Sequence, residues 1–198
     1  LGLDTPSPRF TWNFVSAKKE FAQKYYQIRV STSPDLLAQG KADVWNSPKV
    51  ESPVSRAVYS GDMPLVSHQK YYWNVTVWDE SGKECTPSVA SSFEMAKMNK
   101  ADWKAQWITD KNDKEFEPAP LFRKTFNANK KVVSARAYIA GAGYFELFVN
   151  GQRVGENYLD PGYTHFDKRI LYVTHDITPL LVSGENAVGV VLGNGWYN

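Results

Sequence analysis

Cysteine is nearly absent from this sequence, which has one in 198 residues. Cys85 therefore excludes an intramolecular disulfide, and one thiol does not make a zinc site. Histidine is almost as scarce, and His68, His165 and His175 lie in three separate segments without the spacing of metal ligands. We expect Cys85 to be half-buried in a loop, the histidines to have surface or hydrogen-bonding roles, and an apolar core to hold the fold.

The sequence also lacks a charge bias and a long apolar run. Lys and Arg number 23 against 21 Asp and Glu, which gives a net charge of +2. Binding to nucleic acid requires a concentrated basic face, so this balance argues against DNA or RNA as a partner. No apolar segment approaches the roughly 20 residues of a membrane-spanning helix. We therefore predict neither a nucleic-acid partner nor a membrane span.

Hydrophobic residues, by contrast, are plentiful: they make up 42% of the chain, and aromatic residues make up 14%. They occur in short alternating runs that are separated by 11 prolines and 13 glycines, a pattern typical of all-β proteins. We predict two β-sandwiches in tandem, one over residues 1–97 and one over residues 109–198, with a junction at 98–108. Because the chain stops soon after an apolar inner strand, we expect the second sandwich to be truncated at its C-terminal side.

The first half has the features of an immunoglobulin-like or fibronectin type III sandwich. A predicted strand over residues 71–78 places Tyr71, Trp73, Val75 and Val77 on one face. Leu65 precedes Tyr71 by the spacing of a tyrosine corner. Ser33 is a good helix cap and Gly40 a good helix end, which predicts one short helix between them. The other strands predicted here are residues 9–14, 25–31, 45–50, 56–59 and 91–95.

The second half is organised around an Asn-Gly hairpin. Phe145, Leu147 and Val149 share one face of a predicted strand over 144–149, and Asn150-Gly151 then reverses the chain, as in a type I′ turn. A second Asn-Gly pair occurs at residues 194–195. The other strands predicted here are residues 121–126, 135–140, 170–173 and 187–192, with a capped turn at 176–181 and a turn at 184–186.

Several runs resemble the N-terminal, non-catalytic region of bacterial α-L-rhamnosidases. They are LDPGYT (159–164), KRILY (168–172) and LGNGWY (192–197). The runs LGLDTPSPRFTW, YYQIRVSTSPDLL and YYWNVTVWDESGK resemble the fibronectin-like module that precedes this region, so the resemblance covers essentially the whole chain. The runs FVNGQRVG, DITPLL and GENAVGVVL are shared more loosely with jelly-roll modules of several β-glycosidases.

The resemblance implies a jelly roll for the second domain, related to a rhamnose-binding module that in some members uses calcium. It also implies that a separate catalytic α/α barrel, downstream in the same protein, hydrolyses the glycosidic bond with inversion by means of two carboxylates. No catalytic residue is predicted within these 198 residues. The implied partners are this barrel and a rhamnose-containing glycan or glycoside, and the implied location is periplasmic or secreted.

A sugar site needs amides or carboxylates for paired hydrogen bonds and an aromatic ring against the C–H face of the sugar. These requirements, together with the resemblance, suggest a sugar-binding rim formed by Asn150, Gly151, Asn194, Gly195 and Trp196. The alternative for Asn150 is a purely structural turn, which its hairpin would explain fully.

Calcium binding is less well supported by the same resemblance. Sugar-binding members have an acidic residue before the equivalent of Asn194, and this sequence has Gly193 there, which removes one oxygen ligand. Asn194 and Asp160 are the candidate calcium ligands, with Asp160 alternatively a solvated loop carboxylate. The functional alternatives are structural spacer modules without a ligand site, which Gly193 favours, or the equivalent region of another glycosidase.

Overall fold

The computed structural model describes residues 1–14, 21–109 and 119–193 and divides the chain into two compact units, Leu1–Lys104 and Ala105–Asn198. The described residues confirm the all-β class, because strands and irregular segments make up nearly all of both units. None of the helices among these residues has the length and apolarity needed to cross a membrane.

The first unit is built on an antiparallel five-stranded sheet. The strands of this unit are β1 (Arg9–Thr11), β2 (Gln23–Ser31), β3 (Trp45–Asn46), β4 (Val50–Glu51), β5 (Arg56–Val58), β6 (Lys70–Asp79) and β7 (Ser91–Glu94). The order in the large sheet is β3-β2-β6-β7, with β4 also paired to β2, while β1 and β5 form a second sheet. Phe10 of β1 packs into the core, with its ring centroid 4.8 Å from that of Trp73 and 5.6 Å from that of Phe93.

Strand β6 lies inside this sheet and is buried on both faces. Val75 and Val77 contribute to the core, as the alternation predicts. The opposite face is covered too, because the Arg29 guanidinium donates to Thr76 Oγ1 at 3.2 Å and the Lys49 ammonium lies 4.2 Å from the Trp78 ring centroid. Long side chains of the neighbouring segments thus shield a face that alternation alone leaves undetermined.

The predicted tyrosine corner and short helix are both confirmed. Tyr71 is buried, and its hydroxyl accepts a hydrogen bond from the backbone N–H of Val66 at 3.0 Å. Helix α1 (Pro34–Ala38) begins after Ser33, whose hydroxyl accepts from the backbone N–H of Asp35 at 3.2 Å. Gly40 follows the helix with φ +73°, which is the left-handed conformation that ends many helices.

The second unit packs a four-stranded sheet against a strand pair. Its strands are β8 (Leu121–Ala128), β9 (Arg136–Ala140), β10 (Phe145–Val149), β11 (Gln152–Arg153), β12 (Tyr172–Asp176) and β13 (Gly184–Leu192). The sheet order is β11-β10-β13-β8, and β9 pairs with β12. Phe145, Leu147 and Val149 are buried on the predicted face and pack against Ile139 and Val173 of the pair.

Four predicted elements were wrong in their limits. The strand predicted at 9–14 is β1, which ends at Thr11, where its pairing with the three residues of β5 ends. Residues 45–50 form two short strands, because Ser47 turns away to accept from the Ile28 N–H at 2.9 Å and Pro48 follows it. The strand predicted at 170–173 is β12, which is shifted toward the C-terminus to match the five residues of β9. The turn predicted at 184–186 is the start of β13, since β8 extends to Ala128 and pairs with Gly184.

Candidate functional site

The Asn150-Gly151 hairpin has the predicted type I′ geometry. Asn150 has φ 50° and Gly151 has φ 80°, so both central residues are left-handed, as this turn requires. Val149 and Gln152 pair across the turn and align β10 with β11. Asparagine tolerates this conformation better than most residues, which accounts for its presence at this position.

The side-chain amide of Asn150 makes three hydrogen bonds to other groups of the protein. Its Nδ2 donates to the carbonyl oxygen of Leu180 at 2.8 Å and to Oδ1 of Asn186 at 2.9 Å. Its Oδ1 accepts from the backbone N–H of Ala187 at 2.8 Å. Both amide hydrogens are therefore committed, and a ligand could approach only the remaining lone pair of Oδ1 without displacing a protein contact.

Asn186 extends this network into the core, and sequence analysis missed it. The residue is 1% exposed, and its Nδ2 donates to the carbonyl oxygens of Val182 and Gly184. Its Oδ1 also accepts from the Val182 N–H at 2.9 Å, so the buried amide is fully satisfied. The two asparagines thereby fasten the β10–β11 hairpin to the segment before β13. The run GENAV carried no pattern that distinguishes such a role from an ordinary turn.

Of the other predicted sugar-binding residues, only Gly151 lies in the described part of the chain. Gly151 is exposed at the tip of the hairpin, with open space where a side chain would start. Asn194, Gly195 and Trp196 lie outside the described residues. Gly193 precedes them and donates its N–H to the carbonyl oxygen of Tyr144 at 2.9 Å. A side chain at position 193 would meet only ordinary contacts, so the backbone does not require glycine there.

Within the described part of the chain, Asp160 is not grouped with other side chains that could hold a calcium ion. The Asp160 carboxylate lies 3.2 Å from the amide nitrogen of Asn157, and its backbone carbonyl accepts from the Phe145 N–H at 3.0 Å. Calcium takes six to eight oxygen ligands, usually with several carboxylates. The described residues contain no cluster of three or more acidic, histidine or cysteine side chains that could hold a metal.

Arg153 organises the loop that follows the hairpin. Its Nε donates to Oε1 of Glu146 at 3.1 Å, and the other guanidinium nitrogens donate to the carbonyl oxygens of Gly155, at 3.0 Å, and Asn157. The guanidinium also lies 4.5 Å from the ring centroid of Tyr158. Sequence analysis did not identify this cluster, although Arg153 follows the hairpin directly.

His175 is a half-buried histidine on the core side of β12. Its Nε2 is buried and has no hydrogen-bond partner among the described residues. Burial lowers the pKa of His175 below its usual value, and the nearby Asp160 carboxylate opposes this shift only in part. The ring is also close to the backbone, since a Cβ on Gly155 would lie 2.9 Å from its Cε1. The neutral imidazole is therefore the form that fits this position.

Comparisons with known proteins match both halves of the chain. Residues 1–99 match the family described as "Rha78A-like, N-terminal immunoglobulin domain", and residues 130–198 match the family described as "Alpha-L-rhamnosidase N-terminal domain". A protein named alpha-L-rhamnosidase from Formosa agariphila is 39% identical over the whole of this chain, which covers 23% of that protein.

Solved structures show the same similarity. The α-L-rhamnosidase of Dictyoglumus thermophilum superposes with a TM-score of 0.93 at 39% identity, covering 99% of this chain and 24% of that one. The α-L-rhamnosidase of Aspergillus terreus superposes with a TM-score of 0.82 at 29% identity, covering all of this chain and 22% of that one. The chain thus spans about a quarter of the length of these proteins.

Proposed function

Since this chain belongs to the α-L-rhamnosidase family and corresponds to its N-terminal region, we propose that it is the accessory part of a longer glycoside hydrolase. The proposed enzyme removes terminal α-L-rhamnosyl residues from glycans or glycosides and acts in the periplasm or outside the cell. The observation that carries the proposal is the similarity to three proteins named alpha-L-rhamnosidase over the whole chain, at 34%, 35% and 39% identity.

The proposed role of the two sandwiches is to support a catalytic domain elsewhere in that protein. Two features of the described residues support this role: the extensive aromatic core of the first unit and the Asn150–Asn186 hydrogen-bond network of the second. Hydrogen-bonded amides of this kind fix the position of a hairpin without offering a reactive group. In this proposal, catalysis by a pair of carboxylates takes place in the remainder of the enzyme, as the family resemblance implies.

A spacer role without any ligand site is the second candidate, and the Asn150 amide favours it. Both of its hydrogens are donated to protein acceptors, so this candidate for sugar contact has a complete structural explanation. Gly193, which supplies no carboxylate, supports the same alternative. The two candidates differ in whether the 198-residue chain binds a rhamnoside, and they share the supporting role.

Deletion from the longer protein tests the proposal. The polypeptide that carries this chain and its version without residues 1–198 are compared for release of L-rhamnose from an aryl α-L-rhamnoside and for thermal inactivation. We expect the complete protein to release rhamnose and the deleted version to be inactivated at a lower temperature. A complete protein that is folded but releases no rhamnose would refute the proposed activity, and unchanged inactivation would refute the supporting role.

A further inference from the structure

The segment that follows β7 folds back on itself at the end of the first unit. This exit loop, residues 97–103, contains a short 3₁₀ helix at Lys100–Asp102. Its two ends meet, because the Lys97 ammonium donates to the backbone carbonyl of Asp102 at 2.7 Å and lies 4.9 Å from the centroid of the Trp103 ring. The exit loop is therefore a closed structure, although its residues from 98 onward fall in the predicted junction.

The Asp102 carboxylate fastens the exit loop to another part of the first unit. Its Oδ2 accepts from the Ser67 hydroxyl at 2.6 Å and from the backbone N–H of Asn99 at 3.0 Å. The Ser67 oxygen also accepts from the backbone N–H of Met98 at 3.1 Å. Ser67 lies 35 residues before Asp102, so this is a tertiary contact, and hydrogen bonds to an ionised carboxylate are about twice as strong as those between neutral groups.

Ser67 is held in place by the residues on either side of it. The N–H of Val66 donates to the hydroxyl of Tyr71, in the tyrosine corner, at 3.0 Å. The N–H of His68 donates to the backbone carbonyl of Met95 at 3.1 Å. Because Tyr71 and Met95 are buried in the core, the core sets the position of the Ser67 hydroxyl, and little entropy is lost when this hydroxyl binds a carboxylate.

The surroundings of Asp102 also favour its charged form. The hydrogen bond from Ser67, followed by the one from the Asn99 N–H, lowers the pKa of the Asp102 carboxyl below its ordinary value, and the nearby His68 adds to this effect. Two titratable groups adjoin it: His68, from the loop before β6, and Lys97, whose ammonium binds the Asp102 carbonyl. An ionised carboxylate can only accept hydrogen bonds, which matches the hydroxyl and N–H donors around it. The contact is thus complete at neutral pH.

We propose that Ser67 and Asp102 form a latch that holds the chain to the first unit as far as Trp103. Opening of this latch would release the seven residues of the exit loop. The connection toward the second unit would then lengthen by up to about 24 Å, at roughly 3.4 Å per extended residue. The latch is a conformational device built from contacts within the first unit, and it does not rest on the proposed function.

Amide hydrogen exchange and limited digestion of the 198-residue chain by trypsin test the latch. Ser67→Ala and Asp102→Ala each remove one partner, and their double variant removes both. Ser92→Ala is the matched control, because Ser92 is an exposed serine of β7. We expect exit-loop amides to exchange, and the bonds after Lys97 and Lys100 to be cleaved, about tenfold faster in each single variant, while Ser92→Ala matches the wild-type chain.

Two further measurements separate a latch from a general effect on stability. The double variant should be about as fast as Asp102→Ala, because both changes remove the same contact. Peptides from β2 and β6 should exchange at the wild-type rate in every variant. In an NMR titration of the carboxyl groups, Ser67→Ala should raise the pKa of Asp102, since the Ser67 hydroxyl is the largest cause of its lowering.

Exit-loop exchange and digestion in Ser67→Ala equal to those in Ser92→Ala would overturn the latch. Fully additive effects of the two changes in the double variant would also overturn it. Faster exchange throughout β2 and β6 would do the same, because the pair would then belong to the core and not to a separate device. None of these measurements involves the release of rhamnose, so their outcome is independent of the deletion experiment.

Discussion

Replacing Asn150 should destabilise the second unit far more than an ordinary turn substitution would. Asn150→Ala removes the hydrogen bonds to Leu180, Asn186 and Ala187, each worth about 1 kcal/mol. It also places alanine at φ 50°, which costs about 1 kcal/mol more. The expected loss in free energy of unfolding is about 4 kcal/mol, a large share of the roughly 5–15 kcal/mol of a typical domain.

Asn150→Gly separates the contribution of the side-chain hydrogen bonds from the cost of the left-handed backbone conformation. Glycine adopts the left-handed conformation freely, so it should lose only the three hydrogen bonds, or about 3 kcal/mol. Asn127→Ala, at an exposed position on β8, is the matched control and should change stability by less than about 0.5 kcal/mol.

Amide hydrogen exchange is the suitable assay, because five of the seven tryptophans lie in the first unit and fluorescence would report mainly on that unit. Peptides from β10 and β13 should exchange several hundred-fold faster in Asn150→Ala and about a hundred-fold faster in Asn150→Gly, while peptides of the first unit stay unchanged. Exchange in Asn150→Ala equal to that in Asn127→Ala would refute the structural role. A loss of rhamnoside binding without faster exchange would instead favour Asn150 as a ligand contact.

Two further predictions concern His175 and its surroundings. Because the folded-state pKa of His175 lies below its unfolded value of about 6.5, its neutral form stabilises the fold fully above that pH, and this stability is lost as the pH falls toward the folded pKa. The melting temperature of the second unit, measured between about pH 5 and 8, should therefore fall on the acid side. His175→Gln should reduce this fall, and an unchanged fall in that variant would exclude His175 as its source. Gly155→Ala places a Cβ 2.9 Å from the His175 ring at φ +80°. Gly151→Ala is the control, because it has the same φ and open space around the new Cβ. The Gly155→Ala variant should therefore be less stable than the Gly151→Ala variant by about 1–3 kcal/mol, and should melt at a lower temperature. His175→Ala should relieve most of that difference, and a difference that persists would show that the ring is not the obstacle.

Short-range patterns in the sequence were sufficient for most of the elements. The alternation of Phe145, Leu147 and Val149 predicted both the strand and its buried face, because successive side chains of a strand point to opposite sides. The Asn150-Gly151 turn and the cap at Ser33 were predictable for a similar reason, since each depends on residues within a few positions of it. The limits of β12 and β13 were not, because they are set by the lengths of the partner strands β9 and β8.

The role of Asn150 shows where sequence information ran out. Its three partners lie between 30 and 37 residues away along the chain, so no local pattern indicates that its amide is already in use. Sequence alone made the residue a candidate ligand because asparagine has the right chemistry for a sugar. The contacts assign it to the fold, since disturbing the amide would break three hydrogen bonds within the protein.

What the sequence determined by itself was the all-β class, the elements, the hairpin and, through its motifs, the family. Each of these follows from residue type and spacing along the chain. What only the tertiary structure decided was which side chains are engaged within the protein, as the Asn150 amide and the Asp102 carboxylate are. The reason is physical: such engagement depends on groups that come from distant segments, and only folding brings those groups within hydrogen-bonding distance.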